Sequence, residues 1–197
     1  MNQNEVILVG GFHEIIELCE NLGKKIVGII DNQLEGNYLG YTILGDDTMA
    51  DTLYQKYKDI PLIISPDNPG VREKLFHYYT GIGFRFSTLI SHRAIVSKSA
   101  QIGIGTIIQD GVNISVFSKV GNFVKINSFA NLMHDVVVDN FATIAPNAVV
   151  LGRVHIGAKA YIGANATILP KIDVAEETVV GAGAVVTKDT DQKSTVI

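Results

Sequence analysis

The chain has 197 residues, 47% of them hydrophobic, which is enough to bury the core of one large domain or two small ones and excludes disorder over most of the length. Its 16 Lys and Arg against 20 Asp and Glu leave a formal charge of −4 with the acids scattered; nothing argues for nucleic acid or an anionic membrane as partner, and any phosphate must be held by local groups. The single cysteine, Cys19, permits no intrachain disulfide and suits a reducing compartment, and no leader-like or long apolar run suggests secretion or membrane insertion, so the cytoplasm is the expected location.

Up to about residue 85, short apolar runs alternate with amphipathic stretches, the sequence form of βαβ units. Val6 to Val9 reads as a buried strand with Gly10-Gly11 as its turn. His13 to Leu22 reads as a helix that carries Ile15, Ile16, Cys19 and Leu22 on one face and stops at Gly23. Ile26 to Ile30 is a second strand ending at Asp31-Asn32, followed by a helix over about Thr48 to Lys58, a strand at Pro61 to Ser65 and a helix over about Gly70 to Tyr79. The spacing predicts a small α/β domain of Rossmann-like form over residues 1–85.

From Ile90 the period changes. Every sixth residue through Val186 is Ile, Val or Leu, seventeen positions without a miss or an insertion. Two residues before these positions small or β-branched residues recur, such as Ala94, Thr106, Ser118, Ala142 and Ala166, and directly after them Gly recurs, at Gly103, Gly121, Gly157, Gly163 and Gly181. Neither a helix of period 3.6 nor a strand of period two keeps such residues on one face, whereas a β-solenoid does, with the branched residue inward and one short strand per hexad. The glycine is expected to turn each corner with positive φ.

The repeat, an Ile, Val or Leu followed by Gly-x-x-small-x, resembles the hexapeptide repeat of the left-handed β-helix acyltransferases. That resemblance implies three hexads per 18-residue coil, a left-handed winding that the usual crossover rule would not give, and side-by-side trimers over residues 86–197. The segments VILVGG, YLGYTILGDD, LISHRAIVSKSAQIGIGTII, NSFANLMHDVVV and VVGAGAVVTKD extend the resemblance over nearly the whole chain, to nucleotide-sugar acetyltransferases of bacterial surface-glycan and glycoprotein synthesis. The sialic acid O-acetyltransferases share the architecture, so O-acetylation of sialic acid or another sugar is the alternative reading. By resemblance, acetyl-CoA is the co-substrate, no metal takes part, the acceptor is a 4-amino-4,6-dideoxyhexose on UDP, dTDP or GDP, and the partners are these two ligands and two further copies of the chain.

Acetyl transfer to an amine needs a base and a stabilised oxyanion. His134, two residues after the inward Leu132, is expected to project outward, and with Asp135 it falls on the His-acid pair of the resembling family. One 18-residue coil later stands Gly152, whose N–H is the candidate oxyanion donor and whose lack of a side chain admits the thioester. Ala164 and Ala182 are candidates to line the pantetheine groove, and Lys188 to meet a CoA phosphate. Thr143 occupies the place where many family members carry a second histidine, so its hydroxyl is the candidate replacement for that contact to the acetyl group. In the first domain Gly10, Gly11, Phe12 and His13 form a strand-to-helix turn suited to a diphosphate, one residue shorter than the family's Gly-x-x-Gly-His. Asp31 and Asn32 match the family's acidic pair near base and ribose, and Asp67, Asn68 and Arg72 are weaker candidates for the nucleotide.

Three rival readings remain at this level. A metalloenzyme of carbonic anhydrase type needs three converging imidazoles, but the solenoid offers only His134 and His155 beyond His92, at spacings that are not whole coils. An NAD-binding first domain lacks the third glycine of that fingerprint. A scaffolding solenoid gives no reason for an outward His-Asp pair.

Overall fold

The structure, a computed structural model, describes residues 4–197 and divides into two compact units. The first runs to Asp67 and resumes over Val71–Thr88; the second comprises Asn68–Gly70 and Leu89–Ile197.

In the first unit β1 (Glu5–Val9), β2 (Lys25–Ile30), the hairpin β3 (Asn37–Tyr38) and β4 (Tyr41–Gly45), and β5 (Leu62–Ile64) form one sheet in the order β3-β4-β2-β1-β5. All neighbours are parallel except the hairpin pair. Three helices connect them, α1 (His13–Asn21), α2 (Ala50–Tyr57) and α3 (Pro69–Ile82). The central strands are apolar runs because helices cover both faces of such a sheet: Ile7, Leu8, Ile29, Ile30 and Leu62 are fully buried. The hairpin was not expected. Its turn is Leu39-Gly40, both at positive φ (50° and 88°), the geometry of a two-residue hairpin loop, so the signal was the Tyr-Leu-Gly-Tyr segment itself. Chain order reverses at β1, which has β2 on one side and β5 on the other, and a ligand crevice is expected outside the carboxyl ends of strands at such a point.

The second unit is a solenoid with three parallel sheets of six, five and seven two-residue strands. Neighbours are 18 residues apart: Asn113–Ile114 pairs with Asn131–Leu132, which pairs with Val149–Val150, and the other two sheets repeat this register except at the last strand, where Val179–Val180 pairs with Thr195–Val196. The hexad ladder is the interior. From Ile108 to Val186 each ladder residue is at most 4% exposed, with Ala130, Ala148, Ala160 and Ala166 filling the narrow space beside it. Ile90, on the first rung with a coil on one side only, is 37% exposed.

The corners differ from the expectation. The glycines that directly follow ladder residues are not at positive φ; the left-handed residue comes three positions after the ladder residue, and in eleven successive hexads from Phe117 to Glu177 it is not glycine. Each such residue costs about 1–2 kcal/mol of backbone strain in isolation, offset here because its N–H donates to the previous coil, to a carbonyl as from Asp135 to Val116, Arg153 to His134 and Lys171 to Gly152, or, for Phe117, to the Ser99 hydroxyl. The glycines are required for another reason. A Cβ on Gly103, Gly121, Gly157 or Gly163 would lie 2.4–2.6 Å from atoms of the next coil.

On the five-stranded sheet His155 lies between carboxylates of the coils before and after it, with Nε2 2.8 Å from Asp139 and Nδ1 3.0 Å from Asp173. Partial burial opposes its charge, but the two carboxylates prevail and raise its pKa above the ordinary histidine value. Among the described residues no group of three His, Cys, Asp or Glu could hold a metal ion, and none of the helices is long and apolar enough to cross a membrane.

Two outcomes are expected. Gly157→Ala costs about 1–3 kcal/mol in urea unfolding, whereas Gly181→Ala, where a Cβ would meet nothing nearer than 3.3 Å, costs distinctly less; equal costs would remove coil-to-coil approach as the cause. A raised pKa in the folded state stabilises most below the unfolded value of about 6.5 and is lost as pH rises through the folded value. The stability difference between wild type and His155→Gln should therefore shrink from about pH 6 upward, and a difference independent of pH would refute the pairing.

Candidate active site

His134 follows the strand Asn131–Leu132 at a solenoid corner, and Asp135 is the left-handed residue of that corner, with φ 60°. The turn folds the carboxylate back onto its neighbour, so that Nδ1 of His134 lies 2.9 Å from Oδ2 of Asp135. A carboxylate can only accept, so Nδ1 carries the hydrogen and Nε2 the lone pair. Both side chains remain accessible, 49% and 43% exposed, and Nε of Arg153 stands 3.9 Å from the same carboxylate oxygen.

Gly152 occupies the same corner one coil later, where Arg153 donates its N–H to the His134 carbonyl. The imidazole lies across this glycine: a Cβ there would meet Nε2 at 2.5 Å and Cε1 at 2.7 Å. Among the described residues, neither Nε2 of His134 nor the N–H of Gly152 has a hydrogen-bond partner. The arrangement brings together a base held in one tautomer, an adjacent unused backbone donor and open surface, which is what acyl transfer to an amine needs.

Lys188 follows Val186 of the same sheet as His134 follows Leu132, so it stands at the same edge, beside a cavity of about 270 Å³ lined also by Asp189, Thr190, Asp191 and Ser194. Ala164 and Ala182 follow strands of the seven-stranded sheet and lie at a different edge; within one chain they do not meet His134. Thr143 requires a correction. It is 0% exposed in that same seven-stranded sheet, between Lys125 and Tyr161, so its hydroxyl presents no surface to a thioester. His92, His134 and His155 sit at three different positions of the coil and do not converge.

In the first unit a cavity of about 480 Å³ lies at the carboxyl ends of β1 and β2 and beside α3. Of the residues expected there, Gly10, Phe12, Asp31 and Asn32 line it, and Asp47, Val71, Lys74 and Leu75 join them. Gly11, His13, Asp67 and Asn68 do not. Asp31 ties the turn to the second strand's end: one carboxylate oxygen accepts from the Gly11 N–H and the other from the N–H groups of Gln33 and Leu34. His13 faces the Tyr38 hydroxyl at 3.2 Å. Asn32 and Asp47 form a reciprocal pair, Nδ2 of Asn32 donating to the Asp47 carboxylate and the Asp47 N–H donating to Oδ1 of Asn32. Arg72 is also corrected. It is 1% exposed, burial pushes its pKa down to about 10, and Nη1 donates to the carbonyls of Pro66 and Asp67, so it braces the loop after β5 instead of facing a ligand. Asp47 closes the YLGYTILGDD segment but was assigned no role from sequence, and Lys74 lies in no motif; both reach the cavity because the sheet gathers distant segments.

Residues 153–188 match the bacterial transferase hexapeptide family (six repeats). No curated protein matches by sequence. A histidine-to-alanine variant of GDP-perosamine N-acetyl transferase from Caulobacter crescentus, solved with CoA and GDP-perosamine, superposes with a TM-score of 0.93 at 26% identity, covering 98% of this chain and 93% of that one. The acetyltransferase domain of PglB from Neisseria gonorrhoeae superposes with a TM-score of 0.90 at 25% identity over 98% and 96% of the two chains, and its complex with acetyl coenzyme A gives 0.89 at 26% over 98% and 95%. Over nearly its whole length, then, this chain is similar in fold and repeat to the nucleotide-amino-sugar N-acetyltransferases built on hexapeptide coils.

Proposed function

We propose that the chain is an acetyl-CoA-dependent N-acetyltransferase that acts on a nucleotide-linked 4-amino-4,6-dideoxyhexose, with His134 as general base. The observation that carries this reading is the His134-Asp135 pair, whose Nε2 lies unpartnered over the bare backbone of Gly152. His134 accepts the proton that the sugar amine sheds as its nitrogen bonds to the thioester carbonyl carbon. The resulting oxyanion takes the N–H of Gly152 as donor. Collapse breaks the C–S bond, and the sulfur of CoA leaves with the proton that His134 returns. Asp135 holds the imidazole in the tautomer this sequence needs. No acyl-enzyme intervenes: Cys19, the sole cysteine, is fully buried and burial pushes its thiol up to about 12, far from a reactive thiolate.

The solved complexes of the Caulobacter enzyme with CoA and GDP-perosamine and of the PglB domain with acetyl coenzyme A support both substrate classes. In this reading residues 1–85 are a Rossmann-like nucleotide-sugar domain, with Gly10, Phe12, Asp31 and Asn32 at the nucleotide, and residues 86–197 a left-handed β-helix with Lys188 at the CoA end of its edge. The chain works in the cytoplasm as a homotrimer in which Ala164 and Ala182 of one copy complete the thioester groove of another, on behalf of surface-glycan synthesis such as O-antigen assembly. Outward apolar residues Ile95 and Val185 of one sheet, 71% and 59% exposed, with Met133 just past a strand of that sheet at 36%, support a subunit-facing side.

His134→Ala should lower kcat for acetyl transfer by about 10²- to 10⁴-fold with an unchanged circular dichroism spectrum; full turnover would end the role of His134 as base. Gly152→Ala, whose methyl would occupy the imidazole's place, should also lower kcat while acetyl-CoA still binds in calorimetry. Product masses from a panel of UDP-, dTDP- and GDP-linked amino sugars read out the acceptor.

A further inference from the structure

The cavity at the carboxyl ends of β1 and β2 is lined by two carboxylates and one ammonium, and their situations differ. Asp31 has both oxygens engaged by backbone N–H groups. Asp47 accepts from the Asn32 amide on one oxygen and from the hydroxyl of the fully buried Tyr79, at 2.6 Å, on the other. The ammonium of Lys74, on α3, has neither a hydrogen bond nor an ion pair among the described residues, although both carboxylates line the same cavity. It is also the sole basic residue of the lining, and the neighbouring cation on the helix, Arg72, is buried with its guanidinium committed to two carbonyls.

A doubly charged diphosphate entering this cavity meets Asp31 and Asp47 and would be repelled unless a cation faced it. The chain as a whole, at −4, supplies no general positive field. Apolar walls from Val9, Ile30 and Leu75 lower the local dielectric and strengthen whatever charge pairing occurs. An ammonium that stays unpaired beside two already satisfied carboxylates is free to take an anion without breaking any existing contact. We propose that Lys74 binds the diphosphate of the nucleotide-linked substrate, pinning it on the α3 side of the cavity. The inference rests on the nucleotide reading given above and adds to it a binding residue outside the strand-to-helix turn.

Calorimetric titration of the full chain with UDP, dTDP and GDP, and with uridine, thymidine and guanosine, tests it in wild type, Lys74→Met and Lys74→Arg. Loss of one charged hydrogen-bonding partner should weaken the preferred diphosphate by about 10- to 100-fold in Lys74→Met, leave the matching nucleoside within twofold, and be largely restored in Lys74→Arg. With the full substrate, KM should rise while kcat holds. Equal losses for nucleoside and diphosphate, or a diphosphate affinity unchanged in Lys74→Met, would overturn the assignment while leaving the nucleotide cavity standing. If wild type bound none of the three diphosphates, the nucleotide reading itself would fall and this inference with it.

Discussion

Everything in the solenoid depends on one constraint, that each coil's backbone finds its hydrogen-bond partners in the coils 18 residues before and after it. Strands of two residues have no stability alone; stacked in register they leave few backbone groups unpaired, and the register in turn decides which side chains coincide along each edge. A one-residue slip would bring the ladder out of the interior and carry His134 away from Gly152 together. Core and candidate site are thus fixed by the same spacing.

That dependence explains what the sequence made legible. The interior was readable because the demand for a branched apolar residue recurs locally at every hexad, from Ile108 to Val186. The coincidence of His134 with Gly152 followed from the same arithmetic. The corners were misread because their solution is not local: Phe117, Asp135, Arg153 or Lys171 tolerates a left-handed backbone since its N–H is received by another coil, and nothing in a single hexad announces that. The glycines had a different task, keeping neighbouring coils in contact.

The α/β unit was legible at the level of strands and helices and much less so in its cavity. Asp31 and Asn32 stand after a strand, where a ligand-facing residue is expected. Asp47 and Lys74 stand on segments whose approach depends on sheet order, which pattern alone does not specify. Arg72 illustrates the opposite error: near the right strand end, it is turned into the protein to hold two carbonyls. Thr143 was placed by alignment with a histidine and proves to be interior to the chain.

Along the edge that carries the His-Asp pair, successive coils present Val116, His134, Gly152, Pro170 and Lys188, each two residues past an inward rung. Because these side chains contribute nothing to the ladder, that lane can be rewritten one rung at a time without disturbing the tube. Reach along it is quantised: moving a functional group by one step shifts it by a single strand spacing, about 4.8 Å. The scaffold therefore behaves as a ruler, on which the distance from reacting centre to the far end of a long, thin co-substrate is set by counting turns.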